Sequence, residues 1–189
     1  MLLKEYNKIK LHIGCGKRDF GPSWIHIDGT EYPHVKYHNI EKLPFVNEMA
    51  DLIYASHVLE YFNREEAKEV LKEWKRALKP EGTLRLAVPD FAACAKLYVE
   101  KNVPLDNYVG MFYGKWDIDE DTKVYHKTIY DRPSLERVLN DAGFINVREW
   151  EWKETEHGHI DDFSQAYLPH MEKETGTLVS LNLECDKAK

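Results

Sequence analysis

Cysteine is scarce: Cys15, Cys94 and Cys185 are odd in number, far apart and lack the paired spacing of a metal site. They form no disulfide framework and suit a reducing compartment, where cysteine acts as a small buried hydrophobe. No stretch approaches the roughly 18 consecutive apolar residues of a membrane span. The opening residues carry Lys4, Glu5, Lys8 and Lys10, so no secretory leader is expected and the chain reads as cytoplasmic. An excess of positive charge is also missing, with 26 Lys and Arg against 33 Asp and Glu and a formal net charge of −7. Nucleic acid is therefore a disfavoured partner, because contacts to phosphates supply most of the affinity of such binders. Lys72, Lys75, Arg76 and Lys79 cluster, but Glu65, Glu66, Glu69 and Glu73 share their segment, the pattern of a solvated, salt-bridged helix face. Repeats, low-complexity tracts and linkers are absent, and residues 1–189 are read as a single domain.

What is present is an alternation of strands and helices. Ile9 to Ile13, Trp24 to Ile27 and Val35 to Ile40 read as strands, and Asp51 to Ala55 is a short apolar run that suits a buried parallel strand. Only Gly14 to Ser23 separate the first two, so any helix between them is about one turn. Asn63 stands as an N-cap with Glu66 three residues on, and Ala67, Val70, Leu71, Trp74 and Leu78 follow at helical spacing. Thr83 to Val88 is the next strand. Ser134 is expected to cap a helix ended by Ala142-Gly143, and Ile145 to Trp152 and Thr177 to Leu183 close the chain as an antiparallel pair. The expected fold is α/β: a Rossmann-like, seven-stranded, mostly parallel sheet with an antiparallel C-terminal strand pair and helices on both faces.

Ligands of such sheets bind beyond the carboxyl ends of the strands. Gly14-Cys15-Gly16 follows the first strand, and two glycines let the backbone pass close to a ligand. Asp28 ends the second strand, where a carboxylate can accept from both hydroxyls of a ribose. A dinucleotide site would carry a third Gly or Ala three residues after the second glycine, but Lys17, Arg18 and Asp19 follow Gly16. A Walker-type phosphate loop is missing as well. The pattern points to an adenosine without phosphates and away from a nicotinamide oxidoreductase.

The segments Leu11 to Gly16, Ser23 to Asp28, Leu43-Pro44-Phe45, Asp51 to Glu60 and Leu78 to Leu84 resemble the small class I S-adenosylmethionine-dependent methyltransferases, and Ala142-Gly143-Phe144 extends the match. Within that family the chain is similar to short members associated with modifying sugars or surface polymers. The resemblance implies S-adenosylmethionine as cofactor. It sets Gly14, Cys15 and Gly16 against the methionine part, Asp28 on the ribose, Asn39 and Ile40 at the adenine, and Ser56 and His57 facing the reacting methyl. Asn39 stands where the family usually has an Asp.

Methyl transfer from a sulfonium depends mainly on alignment, and needs a base only when the acceptor must lose a proton. His57 and His126 are the candidate bases, each also readable as a packed or hydrogen-bonded histidine. Asp90 either orients an acceptor hydroxyl or caps the helix beginning near Phe91. Tyr108, Phe112, Tyr113, Trp116, Tyr125 and Tyr130 form either an aromatic wall for a small-molecule acceptor or loop packing. Asp117, Asp119 and Asp121 lack the glycine and the glutamate of a calcium loop. His157, His159, Asp161 and Asp162 are the one plausible metal cluster, read as a wet loop, and no metal is expected. The function expected is methyl transfer to a small polar acceptor, a sugar hydroxyl being one candidate; the alternative is a binding module on the same fold.

Overall fold

The computed structural model describes residues 8–170 and 172–189. Strands β1 (Lys10–Ile13), β2 (Trp24–Ile27), β3 (Val35–Tyr37) and β4 (Ala50–Ser56) precede helix α1 (Arg64–Ala77), strand β5 (Leu78–Pro89) and helix α2 (Phe91–Lys101). A short helix α3 (Val109–Phe112) leads into the hairpin β6 (Lys115–Asp117) and β7 (Lys123–Tyr125). Helix α4 (Arg132–Asp141), strand β8 (Phe144–Glu149), the small pair β9 (Tyr167–Leu168) and β10 (Thr177–Leu178), and strand β11 (Ser180–Lys187) complete the order. The main sheet has seven strands in the order β3-β2-β1-β4-β5-β11-β8. Its first five strands are parallel, and β11 runs antiparallel to both β5 and β8.

Alternation decides which side chains reach each face. Leu11, Ile13, Ile53, Leu84, Leu86 and Leu183 point to one side, where Val70, Leu71 and Trp74 of α1 and Leu135 and Leu139 of α4 cover them in a single core. Helix α1 begins where the sequence places it, since Asn63 accepts from the backbone of Glu65 and Glu66 while Glu66 reaches back to Asn63 N–H. For α4 the expected cap is corrected. Asp131 is the N-cap, and Ser134 is the reciprocal partner three residues in. Pro133, the second residue of the helix, suits its first turn and is consistent with a start just after Asp131, not at Ser134.

The seven-stranded sheet matches the expectation; its cover differs in one respect. Helices α1 and α4 share one face. The face that carries His12, Trp24, His26, Tyr54 and Ala87 is layered instead by Phe20, Trp150, Trp152 and His157. The rings of His12, Phe20 and His157 stack at centroid separations of 3.9 and 4.3 Å. Tyr54 Oη donates to Asp162 at 2.6 Å and Trp150 Nε1 to the carbonyl of Leu86 at 2.9 Å, which pins residues 150–164 to the sheet. Among the described residues no helix is long and apolar enough to cross a membrane.

Candidate functional site

The glycine turn and the first acidic residue form one unit. Gly14 and Gly16 have φ of +64° and +54°, a left-handed backbone that other residues rarely adopt. Gly14 N–H donates to the carbonyl of Ile27 at 2.7 Å, tying the turn to the end of β2. Asp28, only 5% exposed, accepts from Gly16 N–H at 2.7 Å and from Thr30 N–H at 2.8 Å. A carboxylate has about four lone-pair positions, so two acceptor sites remain for a diol. His34 braces the same turn: its Nε2 donates to the carbonyl of Gly16 at 3.0 Å. The thiol of Cys15 is buried beside it, and burial pushes its pKa up to about 12, so it stays protonated.

The other residues assigned to the adenine end are looser. Asn39 is exposed, and its Oδ1 already accepts from the N–H groups of Glu41 and Lys42, closing a local turn. Ile40 is half-buried and packs on the core edge. Ser56 is buried at the end of β4, and its hydroxyl has no partner.

Over this turn lies the β6–β7 hairpin. Trp116 donates from Nε1 to Thr30 Oγ1 at 3.0 Å, and its ring lies 3.4 Å from where a Cβ on Gly16 would stand. Ile118 comes equally close to the corresponding position on Gly29, at 3.5 Å. The aspartates of the hairpin serve its turn: Asp119 Oδ1 accepts from the N–H groups of Asp121 and Thr122. The Asp28 carboxylate retains capacity to accept from a diol, while two side chains of the hairpin stand over the turn.

Beyond the turn, the candidate bases come together. His57 holds a left-handed φ of +54°, a strained conformation for a side chain with a Cβ. Its ring packs 5.3 Å from Phe163, and Nε2 meets Ser180 Oγ at 3.2 Å. His126 reaches in from the residue after β7, donating from Nδ1 to the carbonyl of Met111 at 2.8 Å. Between them stands Glu60, fully buried and unpaired, a residue the sequence did not single out. Asp90 is set apart as the N-cap of α2, accepting from Ala92 and Ala93 N–H. Burial raises its pKa.

The His and Asp residues of the 157–162 loop are divided. His157 and Asp162 are buried in the aromatic layer, whereas His159 and Asp161 are exposed, and among the described residues no group of three or more ligating side chains could hold a metal. A groove of about 670 Å³ opens at the opposite, amino-terminal end of the strands, lined by Lys10, Asp51, Lys79, Arg85 and Glu156 among others. Three of its cations are paired, Lys10 with Glu156, Lys79 with Asp51 and Arg85 with Glu184, and its lining includes no residue of the glycine turn.

Residues 17–86 match the family model described as a methyltransferase domain. No curated protein matches the chain. Among solved structures it is similar to an S-adenosylmethionine-dependent methyltransferase from Archaeoglobus fulgidus, with a TM-score of 0.57 and 17% identity over 96% of this chain and 87% of that one. A second, from Methanosarcina mazei, gives 0.56 and 17% over 97% and 94%. The 1,6-didemethyltoxoflavin-N1-methyltransferase of Burkholderia thailandensis, solved with bound 1,6-didemethyltoxoflavin and S-adenosylhomocysteine, gives 0.54 and 12% over 96% and 71%. At these identities the likeness is one of fold: the chain has the fold of S-adenosylmethionine-dependent methyltransferases.

Proposed function

We propose that this chain binds S-adenosylmethionine across the Gly14–Gly16 turn and moves its methyl group to a small polar acceptor, a sugar hydroxyl being one candidate. The observation that carries the reading is the buried Asp28 carboxylate, which holds the Gly16 and Thr30 N–H groups and has acceptor capacity left over. The match of residues 17–86 to a methyltransferase domain supports it. When bound, the cofactor supplies an electrophilic methyl on a sulfonium, a leaving group that needs no proton. Asp28 would hold the ribose, the glycine turn the methionine part, and Ser56 would lend its unpaired hydroxyl. The chain's own work is then alignment at the ends of β1, β2 and β4, exclusion of water by the hairpin, and acceptance of a proton near His57 and His126.

Calorimetry with S-adenosylmethionine, S-adenosylhomocysteine and NAD tests the reading. The sulfur nucleosides should bind and NAD should not; the reverse order of affinities removes it. Replacing Asp28 with Asn leaves an oxygen for Thr30 N–H but weakens the diol contacts, so S-adenosylhomocysteine affinity should drop about tenfold, near 1.4 kcal/mol. An unchanged dissociation constant would show that Asp28 does not hold the ribose.

Because Trp116 and Ile118 stand over Gly16 and Gly29, the hairpin must lift before a nucleoside enters. Trp116→Ala removes the bond to Thr30 and the ring contact, and should speed S-adenosylhomocysteine association on the order of tenfold. Stopped-flow measurement of that rate checks the point, and an identical rate in both proteins means the hairpin is no barrier. The same covering favours a second reading, a binding module that keeps the fold without catalysis. That reading gains if neither sulfur nucleoside binds even to Trp116→Ala.

A further inference from the structure

Glu60 lies in the turn Leu59–Tyr61 that follows β4, is 0% exposed, and neither of its carboxylate oxygens has a hydrogen-bond partner. Two imidazole nitrogens face the same oxygen, His57 Nδ1 at 3.5 Å and His126 Nε2 at 3.8 Å. The tautomer of each ring follows from its other nitrogen. Asn182 donates from Nδ2 to the carbonyl of Ser164 at 3.0 Å, so its oxygen faces Ser180, whose hydroxyl donates to it at 2.9 Å. The Ser180 oxygen is left to accept from His57 Nε2–H, and His57 therefore turns an unprotonated Nδ1 toward Glu60. His126 donates from Nδ1 to Met111, which leaves Nε2 unprotonated and likewise aimed at Glu60. Two lone pairs and a carboxylate thus converge where, among the described residues, no side chain supplies a donor.

Three acceptors around one buried point repel one another, and an ionised carboxylate without a partner at this depth is strongly disfavoured. A proton resolves both problems. We infer that His57, Glu60 and His126 share one proton at neutral pH, and that Glu60 is the positioning residue of a proton-accepting unit at the acceptor end of the sheet. The surroundings supply no substitute charge. Arg64 lies over the ring of Tyr130 and donates to Thr128 and to the carbonyl of Ile129, and Arg18 lies over Phe163. Tyr61 packs edge-on against His126, and Tyr61 and Tyr130 are both held protonated by burial. Burial drives Glu60 up to about 8 and His57 down to about 3, and lowers His126, all in the direction of a neutral acid between neutral rings.

The role toward an acceptor rests on the methyl-transfer reading; the count of one proton does not. A neutral unit of this kind suits a neutral hydroxyl in preference to an anionic group. As the hydroxyl oxygen bonds to the methyl carbon, the carbon–sulfur electron pair stays on sulfur and the hydroxyl proton passes to whichever of His57 Nδ1 and His126 Nε2 the shared proton leaves free. The imidazolium then carries the positive charge that sulfur gives up.

Histidine labelled with ¹⁵N, with each ring assigned by single substitution, tests the unit in the protein as it stands, with no cofactor present. The wild type should show both inward-facing nitrogens unprotonated at pH 7, and one titration step felt by both rings as Glu60 ionises near pH 8. In Glu60→Gln the amide can still donate to a ring, so the fold is kept, but the shared step should vanish. Rings that titrate independently, or the absence of any step between roughly pH 6 and pH 9 in the wild type, overturns the inference even if the variant fails to fold. Failure of cofactor binding would leave this outcome untouched, so the two results are separable.

Discussion

Lowering the pH from 7 to 5 should cost this protein about 2 kcal/mol of stability through His157 alone. Its imidazole is 3% exposed and stacked on Phe20, and burial lowers its pKa from 6.5 to about 4. Below pH 6.5 the unfolded chain takes up a proton that the folded ring refuses until about pH 4, so stability falls as pH falls through that window and then levels off. Arg85, Lys10 and His159 push the same way, and Glu156 opposes them. His12 and His26 are lowered too, chiefly by burial, with His34 and Arg18 adding to the effect on His12 and Asp19 opposing it on His26. Glu60, raised to about 8, gains stability as pH falls from there toward 4.5 and so offsets the loss from His57. Urea unfolding of the wild type and of His157→Phe at pH 7 and 5 measures the term. Phenylalanine keeps the stack and cannot titrate, so the variant should be less acid-sensitive by about that amount; equal midpoint shifts in the two proteins would refute the account.

Gly14→Ala should destabilise the chain by about 2–5 kcal/mol, the sum of a left-handed backbone cost and an overpacked contact. Gly14 has φ of +64°, and a Cβ there would overlap Cγ2 of Val58, a β-branched side chain with little rotamer freedom. Val58 is itself 5% exposed and packed in the main core, so it cannot swing aside. The steric part can be separated from the backbone part by a double-mutant cycle. Val58→Ala in the Gly14→Ala background should recover stability relative to its effect in the wild type, and simple additivity of the two losses would mean that no clash exists. Thermal unfolding reads both.

What could be read ahead of the structure had a local cause. Strands such as Lys10–Ile13 and Thr83 to Val88 announce themselves by alternation, and the capping of α1 by Asn63 needs only residues three apart. The contact between the glycine turn and Asp28 is legible because each follows one of two neighbouring parallel strands in sequence. The cover of the second face is not legible, because residues 150–164 contribute single side chains, Trp150, His157 and Asp162, with no period between them. Glu60 stayed hidden for a similar reason. It follows Val58-Leu59 as an unremarkable polar residue, and its meaning depends on His126, 66 positions later, and on Ser180, later still. The hairpin acts at a comparable distance, Trp116 meeting Gly16 across 100 positions from strands of three residues each.

The place of β11 in the sheet bears on the order in which the chain can assemble. A growing polypeptide emerges with β5 and β8 already made, yet these two are never neighbours: residues 180–187 must slide between them and pair on both sides. Until then both carry raw edges, and β8 with α4 has no sheet to join. Synthesis and closure of the sheet are thus out of step, and the nascent chain meets that hazard each time it is made.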